Sequence, residues 1–231
     1  MARKRSRQNI EDIAEAAIAC FIETGYRRTQ MSDVARRLGI AAGTLYLYVT
    51  SKEALLHLAA LQIAEQLPKS DEVPVSFSSM AETAAVLSTA IGEGAHWPVL
   101  KAAVTGGAKP DEKLCRDIGD EIYDLLTRAR RLVWLLDGCA RDIPEMEKIR
   151  SDAMRGRYLA DLLTLLRRGA DRTDWPDERI FIAARGAIEL MAWSAMHRHR
   201  DPSPLPRLPE EDIRRIAAGA FAAALLSTQQ P

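Results

Sequence analysis

The stretch Met31 to Tyr48, Met-Ser-Asp-Val-Ala-Arg-Arg-Leu-Gly-Ile-Ala-Ala-Gly-Thr-Leu-Tyr-Leu-Tyr, leaves a chain few ways to fold. Val34, Ala35 and Leu38 share one helical face, Gly39 interrupts the pattern, and Leu45 and Tyr48 give a matching face to a second segment. This predicts two short helices joined by a tight turn, a helix-turn-helix whose second helix is shaped to enter DNA. Gly39 can take positive φ, so it ends the first helix and lets the chain reverse. Ala35 is small where the helices approach, and Ile40 and Leu45 fill the corner. The second helix, expected at about Ala42 to Val49, is too short to stand alone, because isolated helices under about 12 residues are marginal in water.

Its support is expected from the segment before it. Ile10, Ile13, Ala14, Ala17, Ile18 and Phe21 line one face of an amphipathic helix that stops at Gly25, after Thr24. Thr29 is positioned as N-cap of the next helix, and Thr50 to Glu53 matches a capping box opening a fourth at about Ser51. That fourth helix, to about Gln66, carries Leu55, Leu56, Leu58, Ala59, Ile63 and, just beyond, Leu67 over more than one face. It is expected to touch two bodies and to link them. Pro68 ends it, and Pro68 to Ser78 reads as a loop or linker.

Charge separates the same region from the rest. Net charge over the 231 residues is zero, yet residues 1 to 52 carry a net plus four and the remainder minus four. A basic head on an acidic body implies a polyanion partner for the head, with a solvated charged tip as the alternative for charge alone. Arg3, Lys4, Arg5 and Arg7 form a basic arm over residues 1 to 8, too poor in apolar residues to pack and able to order on phosphate.

These residues carry a family resemblance. Phe21, Gly25-Tyr26, Thr29, Val34-Ala35, Leu38-Gly39-Ile40, Gly43-Thr44-Leu45-Tyr46, Tyr48 and Ser51-Lys52-Glu53 closely resemble the DNA-binding head of the tetracycline-repressor family of bacterial transcription regulators. The resemblance implies an all-α homodimer whose two heads read a palindromic double-stranded DNA operator, and a divergent C-terminal domain that binds a small effector. It assigns phosphate contacts to Thr44, Tyr46 and Lys52, with contributions from Thr29 and Gln30 near the helix starts. Hydroxyls and an ammonium flanking a short helix are suitable donors to phosphate oxygens, which fix register without carrying sequence information. Base reading would fall to Ala41, Ala42, Thr44 and Leu47. Here the sequence departs from the family pattern, since Ala41 cannot cap the reading helix and Leu47 cannot hydrogen-bond a base edge. Leu47 can touch a thymine methyl or pack on the fourth helix. Arg36, Arg37 and the arm are therefore expected to take a larger share of affinity.

Residues 51–67 are thus expected to connect a head at 1–50 to a helical ligand-binding and dimerisation domain at 68–231. In that domain helices are expected at about 79 to 91, 95 to 105, 111 to 138, 145 to 170, 177 to 198 and 210 to 228, with Pro202, Pro204, Pro206 and Pro209 stiffening the last connection. The last two helices are rich in small residues. Ala183, Gly186, Ala187, Leu190, Ala217, Ala220 and Ala224 suit a self-complementary four-helix dimer seam or, alternatively, an intramolecular contact. His96, Trp97, Tyr123, Trp134, Met154 and Tyr158 are the candidate walls of a pocket for a mostly apolar effector, the competing reading being ordinary core. Glu189 reads as a structural acid paired with Arg185.

Catalysis finds no motif. A nucleophile elbow, a phosphate-binding glycine loop, a paired-histidine metal site and a dinucleotide fingerprint are all missing, so no catalytic residue, metal or cofactor is expected. His197 and His199 are expected on different faces of one helix, at the surface. Arg128, Arg130 and Arg131 are expected to form a solvated face. Cys20, Cys115 and Cys139 are odd in number and widely spaced, as buried thiols are. No run of about 18 apolar residues occurs and the basic N-terminus lacks the apolar stretch of a signal peptide, so a cytoplasmic, membrane-free protein is expected. Two other classes stay open: a DNA-binding structural protein of the same fold without an effector, and a helical enzyme with a vestigial head.

Overall fold

A helix is the only regular conformation that places Ile10, Ile13, Ala14, Ala17, Ile18 and Phe21 on one side, and in the computed structural model all six are buried. The structure describes residues 7–69, 71–152, 155–168, 177–202 and 208–227. Among the described residues the regular elements are all helical: α1 (Arg7–Thr24), α2 (Met31–Leu38), α3 (Ala42–Leu45), α4 (Lys52–Ile63), α5 (Met80–Gly94), α6 (Pro98–Thr105), α7 (Glu112–Cys139), α8 (Pro144–Asp152), α9 (Arg155–Arg168), α10 (Asp177–Ala195) and α11 (Glu210–Ser227). The expected all-α class is what the protein adopts.

Two compact units are present. The first holds α1 to α5, the last part of α7 from Arg131, and α8; the second holds α6, α7 up to Arg130, and α9 to α11. The residues expected as one body over 68–231 are thus divided between them.

In the first unit α1 packs on α2 and α4. Burying Ile10, Ile13, Ile18 and Phe21 contributes about 1.5–3 kcal/mol for each side chain. Gly39 sits at φ 66 and caps α2, its N–H reaching the Arg36 carbonyl at 3.1 Å. Three expected boundaries move. The N-cap of α2 is Gln30 rather than Thr29, and its N–H donates to Asp33 Oδ2 at 2.8 Å. The cap of α4 is Ser51, whose Oγ accepts from the Ala54 N–H at 3.2 Å, in place of the Thr50 box. Helix α3 closes at Leu45, a turn early, because Leu47 and Tyr48 donate three residues back, to Thr44 and Leu45 at 3.2 and 2.8 Å.

The segment after α4 is more than a linker. Val75 lies beside Val49 in a parallel bridge; its N–H donates to the Tyr48 carbonyl at 2.7 Å, and its own carbonyl accepts from the Thr50 N–H at 3.1 Å. The α4 and α5 helices are joined by His57 Nδ1 and Thr83 Oγ1, both buried and 3.0 Å apart.

The last part of α7 docks on the head. Tyr26 N–H donates to the Gly138 carbonyl at 3.2 Å, Arg27 N–H donates to Asp142 Oδ2 at 3.0 Å, and Arg131 pairs with Glu15, which also accepts from Gln62 Nε2 at 2.7 Å. Arg131 is therefore an ion-pair partner of the head rather than part of a purely solvated face.

In the second unit α10 and α11 run together, with α9 against α6 and α10. The helix expected over 145–170 is described as α8 and α9, with 153–154 and 169–170 outside the described residues. The helix expected to 198 ends at Ala195 and is followed by a 3₁₀ turn, His197–Arg200, in which His199 meets Arg130 at 2.6 Å. Pro204 and Pro206 lie outside the described residues.

Candidate nucleic-acid interface

The outer face of the helix-turn-helix is made by what its core leaves over. Val34, Ala35, Leu45, Tyr48 and Val49 are buried. Gln30, Arg36, Arg37, Ala41, Ala42, Gly43, Tyr46 and Leu47 are exposed, and Thr44 is half-buried. Tyr46 and Leu47 are 53% and 48% exposed, so two large apolar side chains stand free at the end of α3. Leu47 leaves about half of its surface open, which favours the reading in which it faces solvent over full packing on α4. The N-cap Ala41 offers no side-chain hydrogen bond, as its methyl group requires.

The positive groups are poised but occupied. Arg36 pairs with Asp33, and Arg37 Nη1 with Glu23 Oε2 at 2.8 Å. Both pairs are exposed, where an ion pair is worth about 0–1 kcal/mol, so a phosphate can compete for either guanidinium. Lys52 Nζ lies 4.5 Å from the centroid of the Tyr26 ring and donates to the Arg27 carbonyl at 3.2 Å. Tyr26 in turn donates to Glu53 Oε1 at 3.0 Å and stacks on Phe21 with centroids 5.9 Å apart. Burial, then Glu53, pushes the Tyr26 hydroxyl well above the ordinary tyrosine range.

Thr29 requires a correction. It is 1% exposed, and its Oγ1 donates to the Gly25 carbonyl at 2.8 Å and lies 2.7 Å from Thr24 Oγ1. Its hydroxyl fastens the end of α1 and is unavailable to phosphate. Arg3, Lys4 and Arg5 lie outside the described residues; Arg7 opens α1.

The expected pocket residues do not form one group. Trp97 and Tyr158, both buried, meet edge to face with centroids 5.5 Å apart, and Trp97 Nε1 donates to Asp161 Oδ2 at 2.7 Å. The Tyr158 hydroxyl is buried without a hydrogen-bond partner among the described residues, and burial, then Glu121 and Asp161, raises its pKa well above the usual value. Tyr123 is committed to Glu210 at 2.6 Å. His96 is exposed, Trp134 belongs to the first unit, and Met154 lies outside the described residues.

The expected dimer residues also divide. Ala187 and Ala217 are buried within the chain, whereas Gly186 and Ala220 are exposed and Ala183, Leu190 and Ala224 half-buried. Phe181, Ile182, Trp193 and Ile216 are large, apolar and exposed on the same two helices. Glu189 pairs with Arg185. No helix among the described residues is long and apolar enough to cross a membrane, and no group of three His, Cys, Asp or Glu side chains among them could hold a metal ion.

Sequence reasoning missed Gly138, Asp142 and Val75 as partners of the head. The available signal was Gly138 at the close of the expected helix.

Residues 13–59 match the family model described as bacterial regulatory proteins, tetR family. The chain is 40% identical over 53 residues to a fatty acid metabolism regulator protein of Bacillus subtilis, a match covering 23% of this chain and 27% of that one. It is 30% identical over 132 residues to an uncharacterised helix-turn-helix-type transcriptional regulator of Mycobacterium bovis, covering 54% and 61%. These matches span about a quarter and about three fifths of those relatives' length. A tetR-family transcriptional regulator of Thermus thermophilus is similar in structure, with a TM-score of 0.49 and 21% identity over 91% of this chain and 96% of that one. The family is one of regulators rather than enzymes. The helix-turn-helix head that residues 13–59 form is thus one of the tetR family of bacterial regulatory proteins.

Proposed function

We propose that the chain is a DNA-binding transcriptional regulator, acting as a homodimeric repressor that a small, mostly apolar effector releases from a palindromic operator. The observation that carries the DNA side is the exposed Tyr46–Leu47 face of a helix-turn-helix flanked by Arg36, Arg37 and Lys52. Tyr46, Thr44 and Lys52 position the head on phosphates; Ala41, Ala42 and Leu47 offer apolar contact to thymine methyl groups. Few hydrogen bonds to bases are available from this face. Selectivity therefore rests largely on DNA shape, on half-site spacing and on the basic arm.

The dimer reading is supported by the exposed apolar residues of α10 and α11, Ile182, Trp193 and Ile216, beside the small Gly186 and Ala220. Two copies meeting on this face would bury what a lone chain leaves in water, and two heads would double the DNA contacts. The effector reading is supported by Trp97 and the unsatisfied, buried hydroxyl of Tyr158. A buried hydroxyl without a partner costs about 1–3 kcal/mol, which a ligand acceptor would recover. The match to the Bacillus subtilis relative covers about a quarter of each chain and carries no argument about the effector. In mechanism, effector binding displaces α4 and changes the separation of the two reading segments, which then misfit half-sites about 34 Å or a multiple apart. The effector must bind the two states with different affinity.

A mobility-shift series with the DNA upstream of the chain's own reading frame tests the core of this reading. A saturable, salt-sensitive band is expected; its absence on every fragment overturns DNA binding. A ligand that raises the melting temperature and releases the DNA is expected in addition, and its absence from a broad apolar library favours a structural DNA-binding role.

A further inference from the structure

Helix α3 is four residues long, far below the length at which a helix holds itself, and Tyr46 and Leu47 lie just past its end. The next three residues, Tyr48 to Thr50, are fixed from outside. Tyr48 accepts from the Val75 N–H at 2.7 Å, Thr50 donates to the Val75 carbonyl at 3.1 Å, and the Thr50 hydroxyl reaches the same carbonyl at 3.4 Å. Val49 is fully buried beside Val75, and Val73 and Val75 are each only 8% exposed. The segment is thus joined to the reading element by one parallel bridge, although both sides are otherwise loops. Its other end is also anchored. It runs into α5, where Ser79 Oγ caps the Glu82 N–H at 3.2 Å and Thr83 is bonded to His57 of α4.

We propose that Val73–Val75 is a positioning strap for the DNA-reading segment, holding the Tyr46–Leu47 face at a set angle and tying that face to the start of α5. The inference rests on the DNA-binding reading above but goes beyond it. It assigns a specificity role to residues that touch no DNA, and it adds α5 to α4 as a route by which movement reaches the reading face. The physical basis is that Leu47 and Tyr46 lie one and two residues before Tyr48, whose carbonyl is fixed, so their orientation follows it. Losing the strap frees the angle of the face while leaving the phosphate donors outside it, Thr44 and Lys52, in place.

The test uses the full-length chain. Amide hydrogen exchange on the free protein is expected to show Thr50 and Val75 exchanging far more slowly than exposed loop amides; fast exchange at both overturns the strap whether or not DNA binds. DNA selected by the wild-type protein from a random duplex library is then compared with unselected DNA. Val75→Pro removes the N–H that Tyr48 accepts, and it is expected to lower the selected-to-random affinity ratio about five- to tenfold, the worth of one such hydrogen bond. Binding to random DNA and its salt slope are expected to persist. Val75→Ala keeps both backbone bonds and is expected to retain the ratio within about twofold. An unchanged ratio in Val75→Pro overturns the strap alone, while failure of the wild-type protein to select or bind any DNA overturns the regulator reading with it. If Val75→Pro does not fold, the exchange measurement on the wild type decides.

Discussion

Gly138 of α7 and Phe21 of α1 are packed backbone to backbone: a Cβ on Gly138 would stand 2.5 Å from the carbonyl oxygen of Phe21. The neighbouring turn is also close, because a Cβ on Gly25, at φ 82, would lie 3.0 Å from the Gly138 carbonyl. In a free helix Gly→Ala stabilises by about 0.5–1 kcal/mol. At Gly138 the obstructing atom is main chain, so Gly138→Ala is expected to destabilise instead, by about 1–3 kcal/mol, as overpacking does. Thermal melting reads the sign directly, and an unchanged or raised melting temperature would show that α7 does not seat on α1 in this way.

Thr29 separates a structural from a DNA-contacting role. Thr29→Val removes a buried hydroxyl bonded to the Gly25 carbonyl and is expected to cost about 1–2 kcal/mol of stability. The salt slope of DNA binding is expected to stay at the wild-type value. A flattened slope would return Thr29 to the phosphate contacts.

Tyr46 and Lys52 are predicted to behave differently from each other. Tyr46→Phe removes only an exposed hydroxyl and is expected to weaken binding to all sequences a few-fold, with the melting temperature unchanged. Lys52→Gln is expected to reduce the salt slope by about one and also to lower the melting temperature, because its ammonium lies on Tyr26 and bonds the Arg27 carbonyl. Filter binding over a salt series with parallel calorimetry measures both.

The Glu53 carboxyl is held below its usual range first by its own backbone N–H at the start of α4, then by the Ser51 hydroxyl; burial opposes this, and the Tyr26 hydroxyl adds to it. A depressed folded value means that ionised Glu53 stabilises the protein above the unfolded value of about 4.3, and that this stability is lost as pH falls through the folded value. Glu53→Gln is therefore expected to melt below wild type at neutral pH, with the gap closing under acid conditions. A gap independent of pH would mean that the charge is not what matters.

The three cysteines are buried and free, and burial pushes the Cys115 thiol up to about 11 and the Cys139 thiol up to about 12. Since the thiolate is the reactive form, neither is expected to be alkylated by iodoacetamide in the folded protein at about pH 8, while both react in guanidinium. Mass spectrometry of the labelled peptides checks this.

The sequence by itself determined every element whose cause is local. The spacing of Ile10 to Phe21 required α1, Gly39 required the turn of the helix-turn-helix, and the span of α7 was legible to within a residue at each end. That the outward face of α3 is poor in hydrogen-bonding groups also came from Ala41, Ala42 and Leu47 alone. Only the tertiary structure decided what those elements rest against. Thr29 was legible as polar and near a helix start, yet its burial depends on the α1 terminus folding over it. Leu47 had two partners open to it, and how much of it stays in solvent is fixed only by the folded head. Val75 and Gly138 lie 26 residues beyond Val49 and 117 beyond Phe21. Backbone hydrogen bonds and close carbonyl packing leave no mark on side-chain periodicity, so the contacts that hold the reading segment in place could not be read from it.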